Sequence, residues 1–267
     1  MTADRENPID LSSQPQSAPR PLSPRSPHLD GVAGTPLTSD LALAVIKNRD
    51  LSSEVIEQFS RNSPLMKSRK VRLALAAHPR APRRIALRLI RELYPFDLLQ
   101  FSLLPAVAAD LKRVAEELLV GRLASVTLGE RISLARRCSA RVAAALLLDR
   151  ESRVWQTALE NPRLREAGIV KALLRLSVLP ALVKALCHHS KWSVRPEIRT
   201  ALLRSEYTPL ACVLEFAHRL PAVKLRDVLH GSRLPEKIKT YLRKDLETRG
   251  HSRAGIEAES QNLKSKS

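Results

Sequence analysis

The chain has 267 residues, 44% of them apolar and 3% aromatic, with a formal net charge of +18 at pH 7. That length and apolar content are enough for one or two domains with a sizeable core. Leu, Ala and Arg dominate, glycine is scarce and only three cysteines occur, which points to an all-α chain with free thiols and away from a disulfide framework.

Residues 1–36 hold seven of the 18 prolines among Ser, Gln and Arg, and contain no apolar stretch of the kind a secretory leader carries. Such a segment cannot bury enough apolar surface to offset its ordering entropy, so it reads as a disordered arm. It carries three basic against four acidic groups. The tail, residues 251–267, reads the same way and carries three against two, so the whole surplus of +18 lies on residues 37–250. Those residues form the predicted helical domain.

Within that domain apolar residues recur at three and four: Leu73, Ala76 and Ala77, then Ile85, Ala86 and Leu89. The stretch LALAAHPRAPRRIALRLI (73–90) sets Pro79 and Pro82 inside this pattern. A proline inside one continuous helix would cost roughly 3 kcal/mol. The two prolines therefore mark a corner between two helices. Similar corners follow at KNRDLSSEVIEQF (47–59), ENPRLREAGIVKA (160–172), RSEYTPLACVLEF (204–216) and HGSRLPEKIKTYL (230–242). Pro82, Pro209 and Pro235 are expected in the first turn of the second helix, where a missing N–H is harmless. Thr208 is expected to cap one helix, and Thr127 with Glu130 to form a capping box.

Further along, the run LLQFSLLPAVAA (98–109) is too short for the roughly 20 residues of a membrane span. Residues 92–126, around YPFDLLQFSLLP, read as an insertion. RRCSARVAAALLLD (136–149) supplies another corner, and CHHSKWSVRPEI (187–198) a weaker one. The corners recur every 22–26 residues or about twice that, as Cys138, Asn161, Ser205 and Gly231 mark out. Helices this short cannot bury their apolar faces alone, so stacked neighbours must supply the core.

On these residues the chain resembles a known family. VRLALAAHPRAPRRIALRLI and VWQTALENPRLREAGIVKALL are similar to leucine-rich repeat variant units, with a Val-Arg-x-x-Leu-Ala helix, an Asn-Pro corner and a second helix. DRESRVWQTALENP resembles a HEAT unit, with Asp149 and Val154 in place and Trp155 where Arg is usual. The resemblance covers about residues 40–248 and is firmest at 71–90, 136–175 and 193–218. It implies a right-handed α-solenoid of short stacked helices that presents a binding surface. It implies no single activity.

The chain offers little for catalysis or cofactors. No nucleophile elbow or glycine-rich phosphate loop is present, so no catalytic residue and no cofactor is expected. Cys187, His188 and His189 crowd one corner, but without a CxxC or HExxH spacing they are expected to be polar corner residues and not metal ligands. Some HEAT-like proteins are DNA glycosylases that use aromatic side chains and a carboxylate. Trp155 and Trp192 do not align with that motif and are expected to pack between repeats.

The cations carry more information. Arg84 and Arg88, Arg137 and Arg141, Lys171 and Arg175, and Arg195 and Arg199 are each four apart, and Arg91 extends the first stripe. Like charges so spaced cost an isolated helix roughly 0.2–0.5 kcal/mol per pair. Arg88 is also placed to pair with Glu92. The surplus exceeds what solubility requires, so these nine residues are expected to meet an anionic partner. The first expectation is a cytoplasmic, non-catalytic scaffold for an acidic protein. The alternative is duplex nucleic acid held by phosphate contacts, and a HEAT-like glycosylase comes third.

Overall fold

The computed structural model describes residues 38–248; the arm 1–36 and the tail 251–267 lie outside the described residues. Every regular element among the described residues is helical. The chain opens with α1 (Ser39–Ile46), α2 (Ser53–Arg61) and α3 (Ser63–Lys67). Then come α4 (Arg69–Ala77), α5 (Arg83–Glu92), α6 (Pro95–Leu103) and α7 (Ala109–Arg122). The middle holds α8 (Leu128–Arg137), α9 (Ala140–Leu146), α10 (Ser152–Leu159) and α11 (Glu166–Leu173). Last come α12 (Pro180–Cys187), α13 (Pro196–Leu202), α14 (Leu210–His218), α15 (Ala222–His230) and α16, residues 236–248.

Eleven of these helices fall in two rows of contacts. In the first, α1 lies on α4 and α4 on α6, then α8 on α10 and α10 on α12. In the second, α5, α7, α9, α11 and α13 pack each on the next. Every helix turns a Leu, Ile, Val or Ala face inward, as Ile85, Ala86, Leu89 and Ile90 do on α5. A fully buried Leu or Ile contributes roughly 1.5–3 kcal/mol, so no 8- to 10-residue helix here depends on intrinsic propensity alone. The segment expected as an insertion is not one. α6 and α7 pack tightly on each other, α6 on α4 and α7 on α5, because Leu98, Phe101, Ala115 and Leu119 supply the same buried face.

The corners fall where the sequence places them, with two corrections. Pro82 and Pro209 occupy the N-cap of α5 and α14, and Pro235 directly precedes α16, so each stands one residue earlier than expected. The N-cap suits them because its own N–H takes no part in the helix and its extended ψ is open to proline. Thr208 does not cap α14. Its hydroxyl turns back and donates to the Leu202 carbonyl at 2.6 Å, satisfying the end of α13 instead. Thr127 and Glu130 do form the capping box of α8.

A second regularity ties successive corners to earlier ones. The last carbonyls of a helix have no partner within it, and buried they would be costly. Here the following corner supplies the donor. His78 Nε2 donates to Asn48 O at 3.0 Å, Asn161 Nδ2 to Ala135 O at 2.7 Å and Cys138 O at 3.2 Å, and Ser232 Oγ to Leu203 O at 2.9 Å. Trp192 Nε1 does the same for Leu159 O at 3.0 Å. The same corner side chains accept from the backbone two residues on: Arg80 N–H to His78 Nδ1, Arg163 N–H to Asn161 Oδ1, and Leu234 N–H to Ser232 Oγ. One side chain thus shapes its own turn and closes an earlier helix, as Asn161, which follows α10, does for α8.

Candidate functional site

The second row leaves an open groove along α7, α9 and α11, with a volume of about 1210 Å³. Its floor along α9 and α11 is mostly small residues, Ala140, Ala144, Ala145, Ala167, Gly168 and Ala172, with Val120, Leu123, Leu146 and Leu148 beside them. Gly168 explains why the floor is so shallow. A Cβ there would stand 2.9 Å from the Ala144 Cβ, so α9 and α11 approach almost to backbone contact.

Around this floor stand six cations, Arg131, Arg141, Arg150, Arg165, Lys171 and Arg175, and three carboxylates, Glu117, Asp149 and Glu151. Two of the carboxylates are engaged. Arg131 meets Asp149 at 3.2 Å, both largely buried, and Arg141 meets Glu117 at 2.8 Å, both about half exposed. Asp149 also accepts the Glu151 N–H at 2.9 Å, which fixes the α9–α10 turn. Arg150, Arg165, Lys171 and Arg175 are exposed and form no ion pair among the described residues. Unscreened by partners, four such charges around one concave surface raise the local concentration of anions.

A smaller hollow of about 580 Å³ adjoins this groove and shares Ala140, Arg141 and Arg165 with it. Arg163 lines it, tied to the Arg137 carbonyl at 3.2 Å. Ser139 lines it too, its buried hydroxyl without a hydrogen-bond partner among the described residues.

Of the nine cations singled out in the sequence, three line the larger groove. Arg141, Lys171 and Arg175 line the groove; Arg84, Arg88, Arg91, Arg137, Arg195 and Arg199 do not. The i, i+4 spacing is an uneven guide where a helix ends: Arg137 lies outside the groove that Arg141 lines, whereas Lys171 and Arg175 share it. Cys138 and Ser139 separate Arg137 at the end of α8 from Arg141 on α9, and Arg175 lies beyond the end of α11. Arg195 is the N-cap of α13. Others are occupied internally. Arg84 pairs with Glu57, and Arg88 donates to the Ser60 carbonyl at 3.0 Å and not to Glu92, whose own contact is Arg72 at 3.9 Å. Arg199 donates to Ser193 O at 2.7 Å and lies 5.5 Å from the Phe216 ring centre. Arg131, inside α8, and Arg150 and Arg165, at corners, give no signal in the sequence because none has a like-charge partner four residues away on the same helix.

Trp155 and Trp192 are both buried, 3% exposed each. Among the described residues no group of three or more His, Cys, Asp or Glu side chains could hold a metal ion. At the His188–His189 corner, His189 accepts the Lys191 N–H at Nδ1 and faces Glu160 across 3.2 Å. No helix among the described residues is long and apolar enough to cross a membrane. Comparison with protein-family models, curated proteins and solved structures gives no match to this chain.

Proposed function

We propose that this protein is a non-catalytic helical-repeat scaffold that binds an acidic protein partner through the α7–α9–α11 groove. The two rows of helices and the shared corner chemistry favour a right-handed α-solenoid of the leucine-rich repeat variant or HEAT type. One observation carries the binding reading. Arg150, Arg165, Lys171 and Arg175 surround this floor without ion-pair partners among the described residues, while elsewhere arginines such as Arg84 and Arg88 are engaged in internal contacts. Evenly scattered cations that serve solubility need no such concavity. The three free, buried thiols fit a reducing, cytoplasmic setting.

Duplex nucleic acid is the second reading. It is favoured by Arg91, Arg137 and Arg195, which are exposed outside the groove and give a phosphate backbone further contacts. Equilibrium binding of poly-L-glutamate and of a 20-base-pair duplex to the full chain separates the two. An acidic-protein scaffold binds polyglutamate with an affinity that falls from about 50 to 200 mM salt. Preferential duplex binding, with a log–log salt slope of about −0.9 per phosphate contact, favours nucleic acid. Failure to bind either polyanion at about 50 mM salt removes the anion-binding reading.

A further inference from the structure

Resting on the acidic-partner reading, we infer that the groove's occupant is an acidic peptide segment anchored by bulky apolar side chains. The carboxylates of such a segment meet the rim, and its apolar side chains lodge on the alanine floor.

The floor carries this step. Charge alone needs only a rim, yet between the rim cations lie the methyl groups of Ala140, Ala144, Ala145 and Ala172 and the bare backbone at Gly168. Small side chains on the receptor leave room for large ones on the ligand, and only apolar ligand surface gains by covering methyl groups. The volume, about 1210 Å³, exceeds the roughly 300–1,000 Å³ of small-molecule pockets, which suits a stretch of peptide better than a metabolite.

The carboxylates favour the same occupant over a polyphosphate. Glu117, Asp149 and Glu151 share the groove with the cations, and Glu151 forms no ion pair among the described residues. A uniformly anionic backbone passing over the floor would meet these groups and present no apolar side chain to the alanines. A peptide can set its acids opposite Arg165, Lys171 and Arg175 and its apolar residues between them.

Three fluorescent probes test this on the full chain at about 100 mM salt. One is a 16-residue peptide of Glu and Leu, another its counterpart with every Leu replaced by Ser at equal charge, and the last a 16-base-pair duplex. Two variants fill the floor without changing charge: Ala145→Leu at a half-buried position, and Ala167→Leu at an exposed one that leaves the core untouched. Circular dichroism verifies that each retains its helicity. The expected result is Glu/Leu binding at least roughly tenfold tighter than Glu/Ser, as one or two lodged leucines imply. Ala145→Leu or Ala167→Leu should weaken the Glu/Leu peptide roughly fivefold or more and leave Glu/Ser unchanged. Equal affinity for the two peptides, or two folded variants that bind like the parent, overturns the apolar anchor while acidic binding stands. Failure of both peptides removes the acidic-partner reading itself. Tighter duplex binding replaces both with nucleic acid.

Discussion

At the scale of single residues, Asn161 has the largest share in the corners. Its amide is 1% exposed, donates to two carbonyls at the end of α8 and accepts the Arg163 N–H at 2.8 Å. Asn161→Ala removes all of these and leaves the Ala135 carbonyl only the weak Cys138 thiol at 3.8 Å, which costs about 2–3 kcal/mol. Asn48 makes a similar turn contact, to the Asp50 N–H at 3.0 Å, but in an exposed setting, so Asn48→Ala should cost about 1 kcal/mol or less. Urea melts of the two variants check the difference, and equal losses would contradict the role given to the buried amide.

The thiols give a residue-scale expectation in pH. Burial pushes the Cys138 thiol up to about 12, and burial together with the adjoining Cys212 does the same for Cys187. A neutral thiol favoured by folding contributes stability that is complete below the unfolded value near 8.5 and lost as pH rises through about 12. At pH 8 the native protein should therefore react slowly with a thiol reagent at all three cysteines, each of them buried, and rapidly once unfolded. Fast labelling of one native thiol would place that cysteine at the surface.

At the scale of elements, the contact between α9 and α11 decides how deep the groove is. Gly168→Ala would raise helix propensity by roughly 1 kcal/mol on an isolated helix. Here the new methyl meets Ala144 Cβ at 2.9 Å, so the substitution should instead lower stability by about 1–3 kcal/mol. Adding Ala144→Gly should recover part of the loss, a coupling that a double-mutant cycle in denaturant reads directly. Additive losses would mean that the two helices are not in close contact there.

Elements were also where the sequence was most legible. Prolines, Asn161 and Ser205 are local signals, and they locate corners because turn chemistry acts over two or three residues. The segment 92–126 misled because it lacks an Asn-Pro or His-Pro corner. α6 ends instead at Leu104, and the packing of Leu98, Phe101 and Leu119, not a turn residue, marks α6 and α7 as another helix pair. The site was less legible still. Periodicity names the residues that share a face of one helix, whereas the groove is assembled across α7, α9 and α11. Arg150 and Arg165 reach it from the corners, and nothing within three or four residues of either signals the other.

At the scale of the whole molecule, the surplus of +18 belongs to the segment that folds into stacked helices, and the fold distributes it unevenly. Some cations close ion pairs between helices or between corners, as Arg69 does with Asp97 at 3.1 Å and Arg80 with Asp50 at 3.2 Å. Such exposed pairs contribute roughly 0–1 kcal/mol each, so stability alone does not account for so many cations. The groove gathers four that no carboxylate neutralises among the described residues. If those four are the binding surface, the location of a charge should matter more than the total.

Titration calorimetry with poly-L-glutamate against two double variants of equal charge change measures this most directly. Lys171→Glu with Arg175→Glu reverses two rim cations, and Arg91→Glu with Arg195→Glu reverses two exposed cations outside the groove. The expected result is a loss of about tenfold or more for the groove pair and less than about twofold for the outside pair. Equal losses in the two variants would contradict the groove as the site and leave only the net charge of the chain to attract the partner.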